Sequence, residues 1–195
     1  MKIYISWSGE RSKSVARILR QFISTAFQNV EIFFSVDDIV MGENWIEEAS
    51  RRLTESDVGI LCITSDNIDN PWISFEAGAL YSRGKVLIPV LLDLSSADLY
   101  TPLANFQSIS LTRSGVQSIL ELLNNQLENP QNPEYINKVF NKLWSAIEQE
   151  IDLILPAVVE YNTESSQPEL RSERELLYEL LERVKNLELK ASQSE

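Results

Sequence analysis

VGILCIT, residues 58–64, is a run of almost unbroken hydrophobicity rich in β-branched residues. A strand with one wet face alternates apolar and polar residues. A continuous apolar run fits a strand covered on both sides, as in a parallel sheet packed between helices. The same texture recurs at KIYIS (2–6), VEIFF (30–34), VLIPVLL (86–92) and, more weakly, QSISL (107–111).

Helical patterns lie between these runs. Val15, Ile18, Leu19, Phe22 and Ile23 follow the i, i+3, i+4, i+7, i+8 spacing of an amphipathic helix, and Ile46, Ala49 and Leu53 give a shorter one after Asn44. Behind VGILCIT, Asn70 is placed as an N-cap and Pro71 as the first helical residue, which predicts a helix from Trp72 to about Arg83, ended by Gly84. Strand and helix thus alternate five times. That predicts an α/β fold, a flavodoxin-like doubly wound sheet of five parallel strands in the order 2-1-3-4-5 with flanking helices.

Two further helical patterns, 115–127 and 134–155, are separated by the loop NPQNP, so the domain is expected to span 1–155. A linker over 156–168 includes the polar stretch NTESSQP, and a C-terminal helical extension is expected over 169–191. Leu170, Leu177, Leu180, Val184 and Leu187 there approximate a heptad seam that includes Glu173. This amphipathic helix either self-associates as a coiled coil or packs on the domain.

Composition removes several function classes. Seventeen basic against 29 acidic residues give a net charge of −12, which repels nucleic-acid backbones and anionic membranes alike. The lone Cys62 supports no disulfide framework and predicts a cytoplasmic protein. The opening MKIYISWSGE does not read as a signal peptide, and no apolar run approaches the length of a membrane span. With no histidine in the chain, Ser-His-Asp and Cys-His nucleophile systems are excluded and a zinc site is short of ligands, so no metal is expected.

In an open parallel sheet, ligands bind beyond the carboxyl ends of the strands where the strand order reverses, here between the first and third strands. The unusual residues converge on that place. SWSGER (6–11) offers the hydroxyls of Ser6 and Ser8, a Gly9 backbone that a ligand can approach closely, and the free N–H groups of the next helix, which suit phosphate or ribose oxygens. Ser8 and Gly9 equally make an ordinary N-cap and turn. The second loop, SVDDIVMGENW (35–45), carries Asp37, Asp38 and Gly42 among Val36, Ile39, Val40 and Met41; it is either a solvated connection or, as its high apolar content favours, a contact for a ligand or partner. Within NPWISFEAGAL (70–80), Trp72 and Glu76 are four apart and share a helical face, while Ile73, Ala77 and Leu80 form a neighbouring core-facing stripe.

The blocks YISWSGERSK (4–13), FFSVDDIVMGENW (33–45), SDVGILCITSDNIDNPW (56–72) and the WxxxE pattern inside FEAGAL resemble bacterial TIR (Toll/interleukin-1 receptor) domains, and more narrowly the TIR-like proteins of antiviral defence systems. The resemblance covers about residues 1–150. It implies the same five-stranded parallel fold and, for many members, cleavage of the nicotinamide-ribose bond of NAD to nicotinamide and ADP-ribose or a cyclic variant. NAD is then a substrate, and no cofactor is implied. The family's catalytic glutamate matches Glu76, and its tryptophan one turn earlier matches Trp72, a substrate contact. Its first loop, which helps hold the nucleotide, matches 6–11 and so implies substrate contacts at Ser6, Trp7, Ser8 and Arg11; relatives often have histidine where Trp7 stands. Its second loop, which mediates assembly and closes over substrate, matches 34–42 and implies contacts at Phe34, Ser35 and Asp38.

The resemblance also implies self-association through the second loop and a separate effector or sensor protein as partner; the heptad-like pattern over 169–191 adds the C-terminal helix as a second self-association candidate. Two other readings stay open: a non-catalytic TIR scaffold with Glu76 as a polar edge, and a nucleoside deoxyribosyltransferase-like enzyme, which also sets a carboxylate against a glycosidic bond.

Overall fold

The computed structural model describes residues 1–34, 45–99 and 102–154. Strands β1 (Lys2–Ser6), β2 (Glu31–Phe34), β3 (Val58–Ile63), β4 (Val86–Leu91) and β5 (Ile109–Ser110) form one sheet in the order β2-β1-β3-β4-β5, with every pairing parallel. This is the flavodoxin-like arrangement expected from the continuous apolar runs. The decisive run becomes β3, all six residues of which are buried, between β1 and β4.

Helices α1 (Glu10–Ala26), α2 (Trp45–Glu55), α3 (Pro71–Tyr81), α4 (Arg113–Asn125) and α5 (Pro133–Ile154) cover both faces. The period-two geometry of the strands divides the core between two layers. Ile3 and Ile5 of β1 and Val58, Ile60 and Cys62 of β3 pack in one cluster with Val15, Leu19, Phe22, Ile119 and Phe140 from α1, α4 and α5. On the opposite face, Leu61 and Ile63 of β3 meet Ile73 and Ala77 of α3, and Tyr4 packs with Phe33, Leu53 and Leu80. Burial pushes the Cys62 thiol up to about 12, so it stays protonated and unreactive near neutrality.

Three of the boundaries that differ from the sequence reading have a local reason. The weak run 107–111 contributes only two strand residues, since β5 is an edge strand that pairs only with Val90 and Leu91. Helix α3 stops at Tyr81 rather than Arg83, because Gly84 takes a left-handed φ of +66° and Lys85 N–H returns to the Leu80 carbonyl. Helix α4 starts two residues early, at Arg113, where the Thr112 hydroxyl accepts the Gly115 N–H. The remainder of the second loop, the linker and the expected C-terminal helix lie outside the described residues. Among the described residues no helix is long and apolar enough to cross a membrane.

Candidate functional site

Strand alternation places Tyr4 and Ser6 on the same face of β1, two residues apart, under the first turns of α3. Helical spacing places Trp72 and Glu76 on the same face of α3, one turn apart. Where the two faces meet, Tyr4 Oη donates to Glu76 Oε1 at 2.7 Å, Trp72 Nε1 donates to the same oxygen at 2.7 Å, and Ser6 Oγ donates to Oε2. The sequence foresees the shared face but not the depth. Glu76 has 0% exposure, with Trp72 half-buried above it and stacked on the exposed Phe75 ring at 4.9 Å between centroids.

Burial drives the Glu76 carboxyl above its ordinary value of 4.5, and the hydrogen bonds from Ser6, Tyr4 and Trp72 only partly counter it. The folded chain therefore binds more protons than the unfolded chain between the ordinary value and the raised one. Stability is full below 4.5, falls as pH rises across that window, and is flat above it. Glu76→Gln is expected to abolish this decline. Thermal unfolding of both proteins at a series of pH values checks it, and identical pH dependence in the two would contradict it.

The first loop is tied down from below. Gly9 caps α1 with φ +88°, a left-handed conformation that favours glycine, so Gly9 and not the Ser8 hydroxyl holds the cap position. Ser12 Oγ accepts the Ser8 N–H, Asn70 Nδ2 donates to Ser8 Oγ at 2.7 Å, and Asn67 Nδ2 donates to the Ser8 carbonyl at 3.0 Å. Asn70 also caps α3, its side chain accepting the Trp72 N–H at 2.8 Å, so one residue links the first loop to the helix carrying Glu76. Arg11 bridges Asp66 at 2.9 Å and Asp93 at 3.0 Å, lashing α1 to the loops that follow β3 and β4. Burial would raise Asp93, but hydrogen bonds from Ser65 and the Arg11 charge outweigh it and hold the carboxyl below the usual range.

Trp7 lies half-buried beside Phe34, with ring centroids 5.7 Å apart and Lys13 Nζ 4.5 Å from the indole. Its Nε1 is buried with no hydrogen-bond partner among the described residues. Phe34 is 1% exposed and belongs to the core cluster, with Arg20 against its ring. Ser35 and Asp38 lie outside the described residues. Of the sequence candidates, then, Ser6, Trp72 and Glu76 meet directly, Ser8 joins them through Asn70, Arg11 serves as a strut between loops, and Trp7 and Phe34 form an adjoining aromatic pair.

Tyr4 and Asn67 were missed. Tyr4 was legible in principle, since it stands two residues before Ser6 on a strand. Asn67 sits in a turn; its contacts at Thr64 and Cys62 are local, and the one at Ser8 depends on how two segments meet. A separate groove of about 350 Å³ lies between α3 and the segment joining β4 to β5, lined by Ser74, Ala77, Gly78, Tyr81, Leu103 and Phe106 among others, but Glu76 does not line it.

A family model described as "TIR domain" matches residues 3–123, more than half of the chain. Among solved structures, a metazoan TIR-STING receptor from C. gigas in complex with 2',3'-cGAMP is similar, with a TM-score of 0.51 and 23% identity. The match covers 61% of this chain and 38% of that one, and it bears on the fold alone. No curated protein is matched. The matched span begins in β1, ends in α4 and contains the whole Tyr4–Ser6–Trp72–Glu76 cluster; the chain belongs to the TIR-domain family.

Proposed function

We propose that this TIR domain cleaves the nicotinamide-ribose bond of NAD, with Glu76 as the catalytic carboxylate. The observation that carries the reading is a carboxylate buried at the carboxyl end of β1, held at both oxygens by Tyr4, Trp72 and Ser6. The chemistry suits a chain without histidine. Nicotinamide in NAD is already a cationic pyridinium, so it leaves with the electron pair of the broken C–N bond and needs no general acid. The ribose becomes oxocarbenium-like, and a nearby carboxylate stabilises it or binds its hydroxyls, as in glycoside cleavage. Water then adds to give ADP-ribose and a proton, or an internal nucleophile adds to give a cyclic product. The Trp72 indole, stacked on Phe75, supplies an aromatic surface for the cationic ring, worth about 1 kcal/mol.

The resemblance to antiviral TIR-like proteins supports a role in defence signalling in the cytoplasm. It also supports self-association through the second loop, with a separate effector or sensor as partner, while the heptad-like pattern over 169–191 supports self-association through the C-terminal helix. The scaffold reading keeps one observation in its favour, namely that Glu76 is fully covered. Incubating the purified chain with NAD over a rising series of protein concentrations separates the two. Nicotinamide release that increases with concentration is expected. Silence throughout the series would favour the scaffold.

A further inference from the structure

Three donors among the described residues hold Glu76, and they are not equivalent. Ser6 is 0% exposed and Tyr4 1%, both on a strand that lies between β2 and β3 in the sheet. The Tyr4 ring is wedged among Phe33, Leu53 and Leu80, which leaves its hydroxyl little freedom to turn away. Trp72, by contrast, is half-buried in the first turn of α3 and leans on a ring that is itself 47% exposed. Glu76 is completely covered, so a ligand reaches the carboxylate only when a group covering it moves aside. Of the three donors, only Trp72 has a solvent-facing part.

We propose that Tyr4 is a positioning residue for Glu76: its hydroxyl is the fixed partner of Oε1, and the Trp72 indole on the same oxygen is the partner that gives way when substrate reaches the carboxylate. When Trp72 leaves, Tyr4 on Oε1 and Ser6 on Oε2 still hold both oxygens. The carboxylate therefore keeps its aim while it exchanges a protein donor for the ribose. The role in turnover rests on the proposed NAD cleavage, but the role in holding Glu76 does not.

The test is Tyr4→Phe, which removes one oxygen and keeps the ring. Glu76 is titrated through its 13C-labelled side-chain carboxyl resonance, assigned by its absence in Glu76→Gln. Burial and the three neutral donors govern this titration, and no charged side chain among the described residues enters it. Loss of a donor to the charged form is expected to move the midpoint upward in Tyr4→Phe. With NAD, kcat is expected to fall about fivefold to tenfold at unchanged KM, the size of one hydrogen bond lost without loss of binding.

An unchanged Glu76 midpoint in a folded Tyr4→Phe protein would overturn the proposal. Should that variant fail to fold, the same bond is read in the wild-type chain from the 13Cζ resonance of Tyr4. That resonance should shift with the Glu76 midpoint and lose the shift in Glu76→Gln; a Tyr4 signal silent through the titration would overturn the proposal. If the wild-type chain turns over no NAD, the proposed function fails, while the titration still decides the role of Tyr4.

Discussion

Glu76→Gln is expected to leave the domain folded and to lower nicotinamide release from NAD by a factor of at least about a hundred, the loss typical when one electrostatic stabiliser of a transition state is removed. The substitution conserves shape. Its amide oxygen takes the place of Oε1 and accepts from Tyr4 and Trp72, while its NH2 group donates to Ser6 Oγ, so each of the three contacts is kept with the Ser6 hydroxyl turned from donor to acceptor. What vanishes is the negative charge facing the developing oxocarbenium. Since burial disfavours that charge in the folded state, the variant should be no less stable than wild type near neutrality. Unfolding curves together with initial rates check both halves. Loss of activity accompanied by loss of folding would remove the catalytic interpretation, and full activity would remove it outright.

The second large effect concerns stability, at a residue beyond the matched TIR span. Phe140 on α5 is 1% exposed. Its ring meets Phe22 of α1 edge-on at 5.8 Å, stacks on Trp144 at 5.5 Å, and carries the Arg113 guanidinium from α4 at 5.1 Å. One side chain thus ties three helices into the layer beneath β1 and β3. Phe140→Ala removes a large aromatic and leaves a cavity its rigid neighbours cannot close, at a cost of about 3–5 kcal/mol. Against a total stability of about 5–15 kcal/mol, that is a substantial part of the whole.

Urea unfolding should show a lower midpoint with an unchanged slope. The folded fraction should retain its NAD turnover, because Phe140 and Glu76 pack in different layers of the sheet. A loss below about 1 kcal/mol, the scale of an ordinary surface or peripheral change, would show instead that α5 is only loosely docked.

Much of this architecture is written in periodicity. The unbroken run at 58–64 is apolar because β3 has a strand on either side and helices above and below, so every position is interior. Asn70 and Pro71 mark the start of α3 because one side chain satisfies a free N–H and the other residue lacks one. Edge strand β5 reads weakly because a strand of two residues buries little and needs little pattern.

The site was legible only by halves. Spacing links Trp72 to Glu76 and, had it been applied to the first strand, would link Tyr4 to Ser6. No local rule says that these two faces meet, since that follows from the parallel register of β1 on β3 and from how α3 lies across it. For the same reason the full burial of Glu76 was out of reach. Helical spacing sets direction around an axis, and depth comes from the strand packed beneath. Arg11 shows the converse: a cation in a nucleotide-facing loop reads as a ligand contact until Asp66 and Asp93, 55 and 82 residues away along the chain, are found beside it.

The central claim is that a carboxylate at Glu76 cleaves NAD at the nicotinamide-ribose bond, and mass spectrometry of the products tests it most directly. Wild-type chain and Glu76→Gln are incubated with NAD side by side. The predicted result is nicotinamide and an ADP-ribose product, linear or cyclic, in equal amounts from the wild-type chain, with NAD intact beside the variant. NAD recovered whole from the wild-type chain at every protein concentration, or the same products in the same yield from both proteins, would contradict it.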